Sequence, residues 1–252
     1  MRVTSCGITD VGMKRSSNED NYLINEELNL YVVCDGMGGH VGGEYASAIA
    51  VNTVEEVLTT IELRPEDLPD SDEGPVEVTR SKLRYALRLA GCRIHEKATA
   101  DPEYKGMGTT ALVLLLDSSN AFIAHVGDSR GYLVRKGRIE QLTEDHSLVN
   151  EKVKAGVITL EEAQTHRLKN IITRSLGYQE EVEIDAQIKA VQKGDRFLLC
   201  SDGLSNLVTT AEIGEAVQRK GPQEAARSLV ELACERGGDD NITTVVVRVD
   251  EI

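Results

Sequence analysis

Long apolar runs, paired cysteines and an excess of positive charge are all missing from this 252-residue chain, and each absence removes a class of function. No apolar stretch reaches the roughly 18 residues that cross a bilayer. The N-terminal "MRVTSCGITD" also lacks the continuous apolar core of a signal peptide, so a soluble, cytoplasmic protein with no membrane partner is expected. The five cysteines, Cys6, Cys34, Cys92, Cys200 and Cys234, are scattered and form no C-x-x-C pair, which suggests neither a disulfide framework nor a zinc site. None begins a C-x₅-R motif, so a cysteine nucleophile is not indicated. With 28 basic against 42 acidic residues the net charge is −14, which argues against nucleic acid as a partner. An anionic ligand would need a local reversal of sign.

What is present reads as many strands and two pairs of helices, without internal repeats. Leu30 to Cys34 is apolar and β-branched, and "DGMGGHVGG" follows it before apolar residues recur at helical spacing from Glu44 to Ile61. Residues 62–79 hold three prolines and seven acids against a single arginine, the composition of a solvated loop inserted within one domain. A helix is expected from about Ser81 to Ala98. Runs at 110–116, 121–126 and 131–135, separated by "DSSN" and "GDSR", look like an antiparallel meander. Thr159 with Glu162 and Thr209 with Glu212 form capping boxes, Pro222 suits a helix start, and 182–190, 196–200 and 242–249 read as strands. Together these elements suggest a layered α+β domain.

Asp35, Asp128, Asp202 and Asp240 share one setting, the tip of an apolar strand, in "VVCDG", "HVGDS", "LLCSDG" and "GGDDN". An isolated Asp-Gly is more often a hairpin turn than a ligand site. After Asp35 and Asp202, however, the chain enters polar or glycine loops and then helices, so neither pair joins adjacent strands. Carboxylates gathered alone repel and raise one another's pKa, and a divalent cation removes that conflict. An all-oxygen donor set favours the hard cations Mg²⁺ and Mn²⁺ over Zn²⁺. Ligand type does not exclude Ca²⁺, but the D-x-D-x-D-G calcium loop is absent.

In order along the chain, "TDVGMKRSSNED", "VCDGMGGHVGGE", "GMGTTA", "HVGDSR", "LTEDHS", "LLCSDGL" and "GGDDNIT" resemble the blocks of the metal-dependent protein phosphatases of type 2C, the PPM family, in its bacterial serine/threonine form. The resemblance implies one catalytic domain over 1–252. It also implies a four-layer α-β-β-α sandwich, two antiparallel sheets flanked by helix pairs. The activity implied is hydrolysis of phosphoserine and phosphothreonine in proteins, opposing a serine/threonine kinase, by a hydroxide held on two Mn²⁺ or Mg²⁺ ions. A monomer is the expected state.

Roles follow position by position from the same resemblance. Asp35 would bridge the two ions, Gly36 would offer its carbonyl to one, and Asp202 and Asp240 would bind the other. Asp20 would hold water, and Asp128 with Asp202 would form a third, weaker site. Arg15 would grip the substrate phosphate, and His40 would be the general acid. Without the resemblance, Arg15 reads as a surface arginine, His40 as a loop histidine and "GDSR" as a simple turn. His95 is expected at the surface and His125 in the core. His146 opens a stretch, about 147–176, that resembles the family's flap beside the cleft.

Overall fold

The computed structural model describes residues 1–39, 41–61 and 74–252. Its strands are β1 (Arg2–Asp10), β2 (Asp20–Asn25), β3 (Leu30–Met37), β4 (Gly108–Thr109), β5 (Ala111–Leu116), β6 (Asn120–Val126), β7 (Arg130–Arg135), β8 (Arg138–Gln141), β9 (Asp185–Ala190), β10 (Arg196–Cys200) and β11 (Ile242–Glu251). The helices are α1 (Val41–Thr59), α2 (Pro75–Ala100), α3 (Leu148–Lys154), α4 (Leu160–Thr165), α5 (Asp202–Ser205), α6 (Thr210–Arg219) and α7 (Pro222–Glu235).

Strand alternation explains the layering. In β3, Leu30, Val32 and Cys34 face a cluster shared with α1 and α2, while Tyr31 and Val33 face the opposite way. In β10, Phe197 and Leu199 join that second cluster, whereas Leu198 and Cys200 pack with α6 and α7. A strand whose successive side chains are all buried on two faces must lie between two apolar layers. Three such clusters separate four layers: α1 and α2, the sheet β2-β3-β5-β6-β9 with β4 beside β3, the sheet β1-β11-β10-β7-β8, and α6 with α7. All strand pairs within the sheets are antiparallel. The expected sandwich is therefore the observed one.

Several local expectations shift. β5 and β6 form a hairpin, but β7 leaves for the other sheet, where it pairs with β10 and β8. The three runs are thus not one meander, and Gly127, Asp128 and Ser129 carry the chain between layers. The loop expected over 62–79 lies outside the described residues up to 73, and from Pro75 onward it is helix. Proline at the first helical position loses no hydrogen bond, so it starts α2 rather than preventing it. Helix α1 begins at Val41 rather than Glu44, and β9 starts at Asp185 rather than 182. Both capping boxes form as expected.

Candidate metal centre

Five strands end, or begin, at the same edge of the sandwich. β2 starts at Asp20, and antiparallel register sets it opposite Asp35 near the end of β3. β10 ends at Cys200, so Ser201 stands just before α5 and Asp202 occupies its first turn. Asp240 precedes β11, which pairs with β10. Asp128 follows β6 at the crossing between sheets. Asp35, Asp128, Asp202 and Asp240 are each partly exposed, and Asp20 lies behind them, 5% exposed.

Backbone and hydroxyl groups fix these acids from behind. Asp35 N–H donates to Thr110 Oγ1 at 2.9 Å, and Thr110 N–H donates to the Asp35 carbonyl at 2.9 Å. Thr110 Oγ1 lies 2.7 Å from Ser129 Oγ, beside Asp128. Oδ2 of Asp20 accepts from Ser201 at 2.8 Å and from Thr243 at 2.6 Å. Asn241 accepts from the Glu19 amide and donates to the carbonyls of Val11 and Ser17, closing the loop that carries Arg15. Asn206 donates to Oδ2 of Asp202 at 3.0 Å. The glycines have a related task. A Cβ on Gly36 would run into the Gly43 carbonyl, and one on Gly43 would meet the Glu19 carboxylate, so the pair lets the first turn of α1 press against the end of β3.

The electrostatics are unbalanced. Burial is the first cause that lifts Asp35 well above the ordinary carboxylate range, and four more acids, Asp20, Asp202, Asp128 and Asp240, add to it. Burial likewise raises Asp20 to about 7, against the hydrogen bonds from Thr243 and Ser201 that favour its charged form. Asp128 is raised to about 8 by burial and then by Asp202. Asp202 is raised by burial and by Asp240, while a hydrogen bond shared with Asp35 works the other way. Arg15 Nη2 donates to Oδ2 of Asp240 at 2.7 Å, and its guanidinium is half exposed.

Divalent cations fit this donor set. The side chains are carboxylates, with no sulfur or imidazole among the five acids, and hard oxygen donors select Mg²⁺ or Mn²⁺. Oδ1 of Asp20 is buried and has no hydrogen-bond partner among the described residues, an orphan acceptor that a bound species would satisfy. Asp20, Asp35, Asp128, Asp202, Asp240, Gly36 and Arg15 are thus brought to one edge. His40 lies outside the described residues. Sequence reasoning overlooked the supporting Thr110, Ser129, Ser201, Asn206, Asn241 and Thr243; all but Asn206 lie inside the quoted blocks, which is their only signal.

The remaining histidines divide. His95 is half buried, with Nδ1 3.2 Å from the Gly177 carbonyl. His125 is a core residue as expected, 2% exposed, although its Nδ1 is unpartnered.

Residues 9–242 match the family model of protein phosphatase 2C. The protein phosphatase PhpP of Streptococcus pneumoniae is 39% identical over 248 residues, 97% of this chain and 96% of that one. The crystal structure of the Mycobacterium tuberculosis serine/threonine phosphatase PstP superposes with a TM-score of 0.88 at 35% identity, covering 99% of both chains. A structure of the PstP catalytic domain in complex with two manganese ions gives 0.84 at 36% identity, covering 99% of each. This chain belongs to the protein phosphatase 2C family.

Proposed function

We propose that this chain is a Mn²⁺- or Mg²⁺-dependent protein serine/threonine phosphatase that hydrolyses phosphoserine and phosphothreonine in proteins. It works in the cytoplasm against a serine/threonine kinase. The observation that carries the site assignment is the set of carboxylates at one sheet edge, whose strongest mutual influence on Asp35 is repulsion.

In this reading Asp35 and the Gly36 carbonyl, with Asp202 and Asp240, would hold two ions, and Asp128 with Asp202 would hold a weaker third. Divalent ions, when bound, bring water toward ionisation near neutral pH and withdraw charge from phosphoryl oxygens. The protein supplies the rest. Asp20 is locked through Oδ2 by Ser201 and Thr243, which leaves Oδ1 as an acceptor that orients water. Arg15 donates to Asp240, and its half-exposed guanidinium is placed to fork onto two phosphate oxygens. His40 donates a proton to the departing serine or threonine oxygen, a step suited to a group that titrates near neutrality.

Phosphate release from a phosphothreonine peptide tests this reading. Wild type should turn over with Mn²⁺ and stop with chelator, and Asp202→Asn should lose about 10³-fold in kcat/KM, equivalent to roughly 4 kcal/mol of transition-state stabilisation. No release by wild type with Mn²⁺ would sink it.

A further inference from the structure

Away from the aspartates lies a second cluster of titratable groups, His125, His146 and Asp185. Their ligand atoms fall within 4.8 Å of one another, the only such group of three found among the described residues. Two imidazoles and a carboxylate resemble a transition-metal site in composition. Hydrogen bonding argues for a different role. The Gly127 N–H donates to Nδ1 of His146 at 3.1 Å. A neutral imidazole that accepts at Nδ1 carries its hydrogen on Nε2, which leaves no lone pair there for an ion. Nε2 instead faces Oδ2 of Asp185 at 3.3 Å. The two rings are stacked, with centroids 4.8 Å apart and planes 19° from parallel, rather than converging on a common point. His125 is anchored in turn by donation from Nε2 to the Glu144 carbonyl at 2.9 Å.

His146 therefore has a fixed ring, and that ring holds something. Gly127 is the residue on which the chain leaves β6 for Asp128. Its φ of +102° belongs to glycine, and a Cβ there would run into Thr110, the residue bonded to Asp35. The Gly127 carbonyl accepts from His146 N–H at 3.0 Å, so both backbone polar groups of Gly127 are engaged by one residue. His146 also marks the place where the two ends of the 147–176 segment meet. Its carbonyl accepts from Thr173 N–H at 2.8 Å, Ser147 bridges Ile172, and Leu148 N–H donates to Ile171. Arg174, at the returning end, donates to Oδ1 of Asp185 at 3.1 Å and pairs with Glu183 at 3.0 Å.

We propose that His146 is a positioning residue for Asp128. Its Nδ1 holds the Gly127 amide, and through Asp185 and Arg174 it ties Gly127, the residue before Asp128, to both ends of the 147–176 segment. The consequence is coupling: a displacement of that segment at its root moves an acid of the metal centre. The proposal rests on the reading of Asp128 as a metal ligand given above.

His146→Ala and His146→Asn test it, because asparagine offers an amide oxygen at about the position of Nδ1 and alanine offers none. Two readouts do not depend on turnover. The first is hydrogen exchange of the Gly127 amide in protein labelled with ¹⁵N-glycine, which should quicken more than about 10-fold in His146→Ala and stay protected in His146→Asn. The second is calorimetric titration with Mn²⁺, where the weakest-binding ion should lose about 10-fold in affinity in the alanine variant, with most of it regained in the asparagine variant. If His146→Ala does not fold, His146→Gln, whose acceptor sits one methylene further out, takes its place. Unchanged Gly127 exchange in the alanine or glutamine variant overturns the proposal, as does equal weakening of Mn²⁺ binding in both variants. Inactive wild type would instead overturn the phosphatase reading, and the exchange result would still stand.

Discussion

Two kinds of buried carboxylate occur in this molecule, and they are treated in opposite ways. Asp195, 1% exposed, meets Arg135 through two parallel contacts of 2.7 and 2.6 Å and also accepts from the Gln192 amide. Asp145 is similarly forked onto Arg130. At the sheet edge, by contrast, Asp35 and Asp20 are pressed upward by burial and by neighbouring acids, and Oδ1 of Asp20 has no partner among the described residues. Buried charge is ordinarily paired, because leaving water costs several kcal/mol per ion. The Asp195 arrangement shows that this chain builds such pairs where structure is all that is required. Where it does not, the missing positive charge is to come from outside.

Mutation sharpens that contrast. Asp195→Asn leaves Arg135 facing a neutral amide and should cost about 3 kcal/mol of stability in urea unfolding, with kcat of the folded enzyme unchanged. Its counterpart Asp35→Asn removes a repelled charge, so in chelator-treated protein stability should hold or rise. A loss as large as that of Asp195→Asn would erase the distinction between the two classes.

Acidity supplies a smaller, graded effect in the metal-free protein. Asp20 and Asp128 are held at about 7 and about 8, above their ordinary 3.8. Between about pH 4 and 8 the native state therefore binds more protons than the unfolded chain, and stability should fall as pH rises through that window. Added Mn²⁺ should remove the slope at the alkaline end. Thermal melts of chelated protein that rise in midpoint from pH 5 to pH 8 would contradict the assignment.

The same contrast explains what could be read from the sequence. The strands that bury both faces, 30–34 and 197–200, announce themselves by unbroken apolar runs, and the acids that follow stand out at their ends. β1 escaped notice because it is an edge strand whose side chains are mostly half exposed, and β2 because it opens with the polar Asp20 and Asn21. The change of sheet between β6 and β7 was hidden too. Hydrophobic periodicity reports which face of a strand is buried, whereas the positive φ of Gly127 and its bonds to His146 decide which sheet comes next. Thr110, Ser201 and Thr243 are single hydroxyls without a spacing pattern, and only the folded chain shows that they hold Asp35 and Asp20.

Calorimetric titration of the metal-free protein with Mn²⁺ tests the central claim most directly. The account predicts at least two ions per wild-type chain and, with Asp35 proposed to serve both, marked weakening of both in Asp35→Asn. Unchanged stoichiometry and affinity in Asp35→Asn would contradict it.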